Sequence, residues 1–421
     1  MDRPPTSAVP PERGPMGLAA PLAPAIEVVS ELAYRVFDPS GLGFPSPTVP
    51  VLPWWSESAP AQVPGRFGLI GADRARLHYR RGRYALLEAY RLSGVGPEGA
   101  LLAPAYHCRT MLDPALRLSA TLHLYPLNPD LSPRLEAIDA IVAASPVPVR
   151  AMLLTHFFGL LSDARAVAAW CESRGIALVE DCSHALFSAR GLSDRLPPGA
   201  AGRFAVASPY KLLPCEEEGW LMVRPGDTVP ADPKGASLWR ELRWVRDLWQ
   251  RRAAGLRGRA ALQDPALPKP ADDPPPRRMI RSDRPSAHYE EADEGQASCR
   301  LAQTWARRQD PSAAAEARRQ AYQAWVQAVA GLAGCRPLRD TLCDDEVPYM
   351  FPLVLEAPAR QFPRLKRLGL PIWRWDDMAV SDCEVSQAYS EALIHLPCHQ
   401  SLSGAEQSWL HRQLTRGLET N

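Results

Sequence analysis

Two apolar segments of this chain each run into groups able to do chemistry. Val179-Glu180-Asp181-Cys182-Ser183-His184-Ala185-Leu186 delivers an acid, and Ala205-Val206-Ala207-Ser208-Pro209-Tyr210-Lys211-Leu212 delivers a lysine. An acid and a lysine at adjacent strand ends can hold the two ends of one cofactor. Pyridoxal 5'-phosphate (PLP) needs such a pair: a lysine for the Schiff base, and a carboxylate that keeps the pyridine nitrogen protonated. Lysine is scarce here. Lys211, Lys234, Lys269 and Lys366 are the four in the chain, and arginine supplies nearly all the positive charge. Lys234 sits in a turn, Lys269 in a Pro-rich stretch and Lys366 on an amphipathic segment, whereas Lys211 alone follows an apolar strand and precedes an apolar run. A chain that reserves a lysine for an apolar setting has a use for its amine as a nucleophile. The competing reading is a snorkelling lysine at a strand end.

The neighbouring residues are weighed the same way. Asp181 is either the ring-nitrogen partner or the N-cap of a following helix, and its pairing with Lys211 favours the cofactor. His184, three residues on, reaches the same ligand from a turn or helix start, or is a buried histidine bonded to backbone. His156 ends an apolar strand before Phe157-Phe158-Gly159, where strand-end packing is preferred to substrate contact. Arg374, between Trp373 and Trp375, suits a substrate carboxylate or phosphate, or a surface cation–π contact. The arginines between Arg240 and Arg252 read as the solvated face of a long helix.

Positioning these groups requires a sheet. Short apolar runs at Ala100–Ala103, 120–125, 151–156, 176–181, 204–208 and 219–223 alternate with helical patterns at 83–92, 114–118 and 164–173. Buried strands alternating with helices predict a parallel sheet covered by helices on both faces, an α/β fold. Ligands of such sheets collect at the carboxyl ends of the strands, where Tyr106, His156, Asp181 and Ser208 fall. Residues 1–25 read as a disordered Pro-rich start and 26–262 as the large domain, beginning with a short helix over 26–37. Residues 263–292, with seven prolines among charges, read as a linker or mobile loop. Residues 293–421 read as a smaller α+β domain: helix over 296–330 broken near Pro311, a strand at 347–355 and another at 371–375. Trp54 and Trp55 read as core packing or a docking anchor.

The chain has 421 residues, net charge +1 and a hydrophobic fraction of 46%, enough for a large core and no reason to expect nucleic acid or an acidic membrane surface. No apolar run approaches a membrane span, the start does not resemble a signal peptide, and nine scattered cysteines without a CxxC suggest reduced thiols in a cytoplasmic enzyme without a metal centre.

Six motifs in order resemble the DegT/DnrJ/EryC1/StrS aminotransferases: Gly82-Arg83-Tyr84-Ala85-Leu86 with Gly94-Val95-Gly96-Pro97-Glu98-Gly99, Pro104-Ala105-Tyr106-His107-Cys108, His156-Phe157-Phe158-Gly159, Glu180-Asp181-Cys182-Ser183-His184-Ala185, Ser208-Pro209-Tyr210-Lys211, and Leu396-Pro397-Cys398-His399-Gln400-Ser401. The resemblance implies fold type I of the PLP enzymes with its mostly parallel, seven-stranded-type sheet flanked by helices, a homodimer with sites at the subunit interface, and amino transfer, commonly from glutamate to a nucleotide-linked keto-sugar. It implies Lys211 as the Schiff-base lysine, Asp181 at the pyridine nitrogen, His184 near the phenolic oxygen, and Ser208, Gly82 and Arg83 at the phosphate. The chain resembles a divergent branch. Gly82-Arg83 stands where many members have Gly-Thr or Gly-Ser. Cys108 stands where the ring-stacking aromatic usually falls, leaving Tyr106 or His107 as substitutes. Glu218-Gly219 replaces a Gly-Gly pair. Two further readings stay open: a PLP-dependent sugar dehydratase, against which Lys211 argues because dehydrating relatives carry histidine there, and a non-catalytic binding or regulatory protein.

Overall fold

The computed structural model describes residues 31–39, 42–56, 65–189, 195–266 and 277–419. Its centre is a seven-stranded sheet in the order Ala75–Tyr79, Gly219–Val223, Phe204–Ala207, Ala177–Asp181, Val149–Thr155, Ala100–Pro104 and Leu122–Tyr125. Six strands run the same way and Gly219–Val223 runs against them. Ala100–Pro104, Phe204–Ala207 and Gly219–Val223 are buried at every position, because helices cover both faces.

Successive side chains leave a strand on opposite faces, and here they enter two different cores. Leu101, Ala103, Leu153, Val179 and Val206 pack with Ala85, Leu86, Ala89 and Tyr90 of the helix Gly82–Leu92 and with Met111 and Leu112 of Arg109–Arg117. Leu102, Leu154, Leu178 and Ala205 pack with Ile138 of Leu135–Ala144 and with Val167 and Cys171 of Ala164–Glu172. Each buried Leu or Val contributes about 1.5–3 kcal/mol. The same alternation decides the acids: Asp181 shares the face of Val179, toward the Gly82–Leu92 helix, and Glu180 shares the face of Leu178.

The C-terminal region builds a three-stranded antiparallel sheet from Cys335–Pro337, Met350–Leu355 and Leu393–Pro397. The helices Pro311–Val329, Pro358–Arg367 and Gly404–Leu418 pack a core there around Phe351, Trp325 and Trp409.

Three expectations change. The helix expected over 26–37 is, where described, a strand, Leu32–Val36; Leu32 and Tyr34 are buried on a period of two, and Ile26 to Ser30 lie outside the described residues. The segment 263–292 is not a free linker throughout: Arg278–Ser282 forms a strand paired with Leu32–Val36, Asp113 accepts from the Ser286 N–H and hydroxyl, and Trp409 Nε1 donates to the Gln263 carbonyl. Residues 267–276 of that segment, and the expected disordered start at 1–25, lie outside the described residues. Instead of a strand over 371–375 there is a single bridge, Trp373 to His395. Trp54 is core: Ser401 binds both its N–H and its carbonyl, and a Cβ at Gly255 would fall 2.5 Å from its indole.

Candidate active site

Four strands deliver Tyr106, His156, Asp181 and Ser208 to one edge of the sheet, at its carboxyl ends. Behind Ser208 the chain makes one 3-10 turn, Pro209–Lys211, closed by Lys211 N–H donating to the Ser208 carbonyl at 3.0 Å. That turn brings Lys211 over a small cavity lined also by Gly82, Arg83, Cys108, Asp181, Ser183 and Ser208. The acid and the lysine therefore share one cavity.

Asp181 is buried, and its Oδ1 accepts the Ser183 N–H at 2.9 Å, which folds the chain back after the strand. Its role is not that of a helix cap, since a turn and the short strand Phe187–Ala189 follow. The hydroxyls of Ser183 and Ser208 share a hydrogen bond of 3.0 Å. Against them lies Gly82: a Cβ there would sit 2.3 Å from Ser208 Oγ. The 11-residue helix starting at Gly82 has no side-chain N-cap, and Gly82 and Arg83 of its first turn line the cavity, so its positive dipole end lies beside it. The Arg83 side chain lines the same space and makes no ion pair or hydrogen bond among the described residues. Arg81 is held by the Glu216 carbonyl and lies over the Tyr210 ring at 4.6 Å.

His184 reaches Lys211: its Nε2 lies 3.2 Å from Lys211 Nζ, and its Nδ1 accepts the Phe158 N–H at 3.2 Å. The ring stacks on Tyr349 at 4.3 Å. Burial, the Lys211 charge and His395 push its pKa well below the ordinary value, so it stays neutral.

Other candidates lie elsewhere. His107 Nδ1–H donates to the Pro104 and Ala105 carbonyls, Ala379 N–H donates to its Nε2, and burial lowers its pKa to about 4; it is a strut between segments. Tyr106 is buried beside Trp375, with ring centroids 4.7 Å apart, and its hydroxyl meets His395 Nε2 at 3.1 Å. Of the Tyr106-His107-Cys108 run, Cys108 alone lines the cavity, with its thiol 3.2 Å from Thr110 Oγ1. His156 faces away with Glu180. Its Nε2 lies 3.0 Å from Glu180 Oε2, and the N–H groups of Gly199 and Gly202 complete that carboxylate. Burial opposes the ionised form of Glu180, but these donors prevail and hold its carboxyl below the usual range. Arg374 points into a separate cavity, paired with Asp376 at 2.6 Å and lying over Phe362 at 4.1 Å. Each member of the Glu216-Glu217-Glu218 cluster has a partner in the fold: Arg251 binds Glu216, Arg240 binds Glu217, and His78 and Trp220 bind Glu218.

Sequence reading passed over Tyr349 and His395 as site residues and took Trp375 only as a flank of Arg374, though all three wall the His184 side of Lys211. The available signal was His395, a lone histidine inside the apolar strand Leu393–Pro397.

The donor set fits PLP. It offers a buried carboxylate, a lysine sharing its cavity, paired hydroxyls, and a helix start kept open by a glycine that tolerates no Cβ.

Residues 77–228 match the DegT/DnrJ/EryC1/StrS aminotransferase family. A stretch of 154 residues, 35% of this chain, is 29% identical to L-glutamine:scyllo-inosose aminotransferase of Streptomyces griseus, and it spans 34% of that protein's length. Among solved structures, the aminotransferase TlmJ from Streptoalloteichus hindustanus superposes with a TM-score of 0.56 at 20% identity, covering 82% of this chain and 85% of that one. NtdA from Bacillus subtilis, solved with bound cofactor PMP, gives 0.53 at 13% identity over 82% and 73%. The fold is thus that of the fold type I PLP aminotransferases, as expected.

Proposed function

We propose that this chain, whose residues 77–228 match the DegT/DnrJ/EryC1/StrS aminotransferase family, is a PLP-dependent aminotransferase that passes an amino group from an amino acid to a keto-sugar or related polyhydroxylated ketone. The observation that supports it most is the shared cavity of Asp181 and Lys211, with the Gly82 helix start and Ser208 beside them. Bound there, PLP would supply the electron sink for amino transfer.

The chain's own groups divide the work. Lys211 Nζ would attach the cofactor and then, once displaced, carry a proton across the reacting carbons as general base and acid. Asp181 would hold positive charge at the ring nitrogen. Ser208, the first-turn N–H groups after Gly82 and the Arg83 guanidinium would take the phosphate, with Arg83 supplying charge where a hydroxyl is absent. His184 would donate to the cofactor's phenolic oxygen. Cys108 and Thr110 leave that wall without an aromatic ring, so Tyr106 and His107 would support the site from outside it.

L-Glutamate is the donor the family resemblance implies, and a nucleotide-linked keto-sugar the acceptor. The curated relative is named for L-glutamine and scyllo-inosose, and a polyhydroxylated ketone is common to both acceptors. A homodimer is the proposed assembly. On the helix Leu238–Ala260, Leu238 is 74% and Trp239 82% exposed, an apolar surface that a second copy would cover. The proposed location is the cytoplasm, with the nine cysteines unpaired.

The test is the visible absorption spectrum with and without L-glutamate, beside Lys211→Ala. A band that glutamate bleaches and that the variant lacks is the expected result. A wild-type protein that stays colourless with added PLP overturns the reading.

A further inference from the structure

We infer that Phe158 is a positioning residue whose backbone decides which nitrogen of His184 carries the proton. The inference rests on Lys211 being the reactive lysine, as proposed above. Phe158 sits in the left-handed region at φ 59 and ψ 9, followed by Gly159 at φ 83. For a bulky residue this backbone is unfavourable and persists only where its surroundings over-determine it. They do so here. A Cβ at Gly159 would fall 2.1 Å from the Val347 carbonyl oxygen and 3.0 Å from that of His184. On the other side, Tyr349 N–H donates to the Phe158 carbonyl at 2.7 Å. The turn is wedged between the His184 segment and the chain entering Met350–Leu355, and its conformation aims the Phe158 N–H at His184 Nδ1.

An N–H aimed at Nδ1 needs a lone pair there. The ring is buried and neutral, so its proton belongs on Nε2. That Nε2–H is the atom 3.2 Å from Lys211 Nζ, and Tyr349, stacked at 4.3 Å, stops the ring from turning over. His184 therefore presents a donor, and no acceptor, to Lys211 Nζ and to any oxygen brought beside it. A strained turn 26 positions upstream of His184 in sequence sets the polarity of the reactive site through one backbone N–H.

The experiment is 15N–1H correlation NMR of the cofactor-free, full-length protein labelled at histidine. The expected spectrum has His184, assigned through His184→Gln, protonated at Nε2 with a bare Nδ1. A proton on Nδ1, or on both nitrogens, overturns the inference. Phe158→Gly keeps the N–H and suits the left-handed backbone, so it is expected to keep the Nε2–H form; a change of tautomer in that variant would transfer the role from backbone to side chain and overturn the inference. Gly159→Ala pushes the turn away and is expected to release a mixture of tautomers. If Gly159→Ala does not fold, the wild-type and Phe158→Gly spectra still decide. No PLP enters these measurements. An Nε2–H tautomer in a protein that binds no PLP would sink the functional reading alone, and an Nδ1–H tautomer in a PLP-binding protein would sink this inference alone.

Discussion

Replacing Asp181 with Asn removes the charge yet keeps an oxygen to accept the Ser183 N–H, so the turn after the strand is expected to survive. Cofactor retention should weaken by about ten- to a hundredfold, the range of one charge-assisted hydrogen bond, while the melting temperature changes little. Equilibrium dialysis with PLP beside a thermal melt checks both halves, and unchanged retention would remove Asp181 from the site. Gly82→Ala acts differently. Its Cβ would land 2.3 Å from Ser208 Oγ, so the hydroxyl pair must move. The expected cost is about 1–3 kcal/mol of stability from overpacking, with a loss of affinity for inorganic phosphate as a cofactor competitor, read by denaturation and by competition titration. Both residues were legible in the sequence because each lies at a strand end or a helix start, where position and chemistry coincide. Tyr106 and His107 were misplaced relative to Cys108 because three consecutive residues after a strand point in three directions. Spacing alone does not say which faces the ligand.

At the scale of elements, the strand Ala177–Asp181 carries two adjacent acids to two different layers. Asp181 enters the cavity of Lys211, and Glu180 enters the opposite core, where His156 and two glycine N–H groups complete it. Glu180→Gln puts an amide NH2 where donors already converge and is expected to cost about 3–5 kcal/mol, the usual result of breaking a buried charged network. Urea unfolding measures it, and a cost below 1 kcal/mol would show that the network is dispensable. The alternation of a strand makes this division readable from sequence, and the parallel sheet followed from its short, wholly apolar runs. The strand Leu32–Val36 was read as a helix because its partners, Arg278–Ser282 and Met378–Ala379, are remote in sequence. Only pairing stabilises so short a segment. The exposed strand Arg278–Ser282, hidden behind prolines and charges, was missed for the same reason.

For the whole molecule, buried neutral histidines set the response to acid. Burial lowers His107 to about 4 and His395 and His399 to about 3. In the unfolded chain these rings take up protons near pH 6.5. Between that value and the folded ones the unfolded state binds more protons, so stability is full above pH 6.5 and falls as pH drops toward 4 and below. Glu180, held below the usual carboxylate range, loses its contribution in the same direction. Chemical denaturation at pH 7.5, 6 and 5 is expected to show this decline, and a flat profile would contradict the neutral, buried state of these rings. Trp239→Asp places a charge on the exposed apolar start of the helix Leu238–Ala260 and is expected to convert the proposed dimer to monomers by sedimentation, with the isolated subunit still folded.

The contact between Tyr106 and His395 joins positions 289 residues apart. During synthesis, the strand carrying Tyr106 leaves the ribosome long before the strand carrying His395 exists. The sheet that holds Asp181 and Lys211 lies wholly within the first half or so of the chain, and domains generally fold as they emerge. The wall formed by Tyr349, Trp375 and His395 closes only when nearly the whole polypeptide has been released. While residues 212–395 are being added, a nascent chain therefore carries its lysine without that wall, and the enclosure around it comes only after the sheet is made.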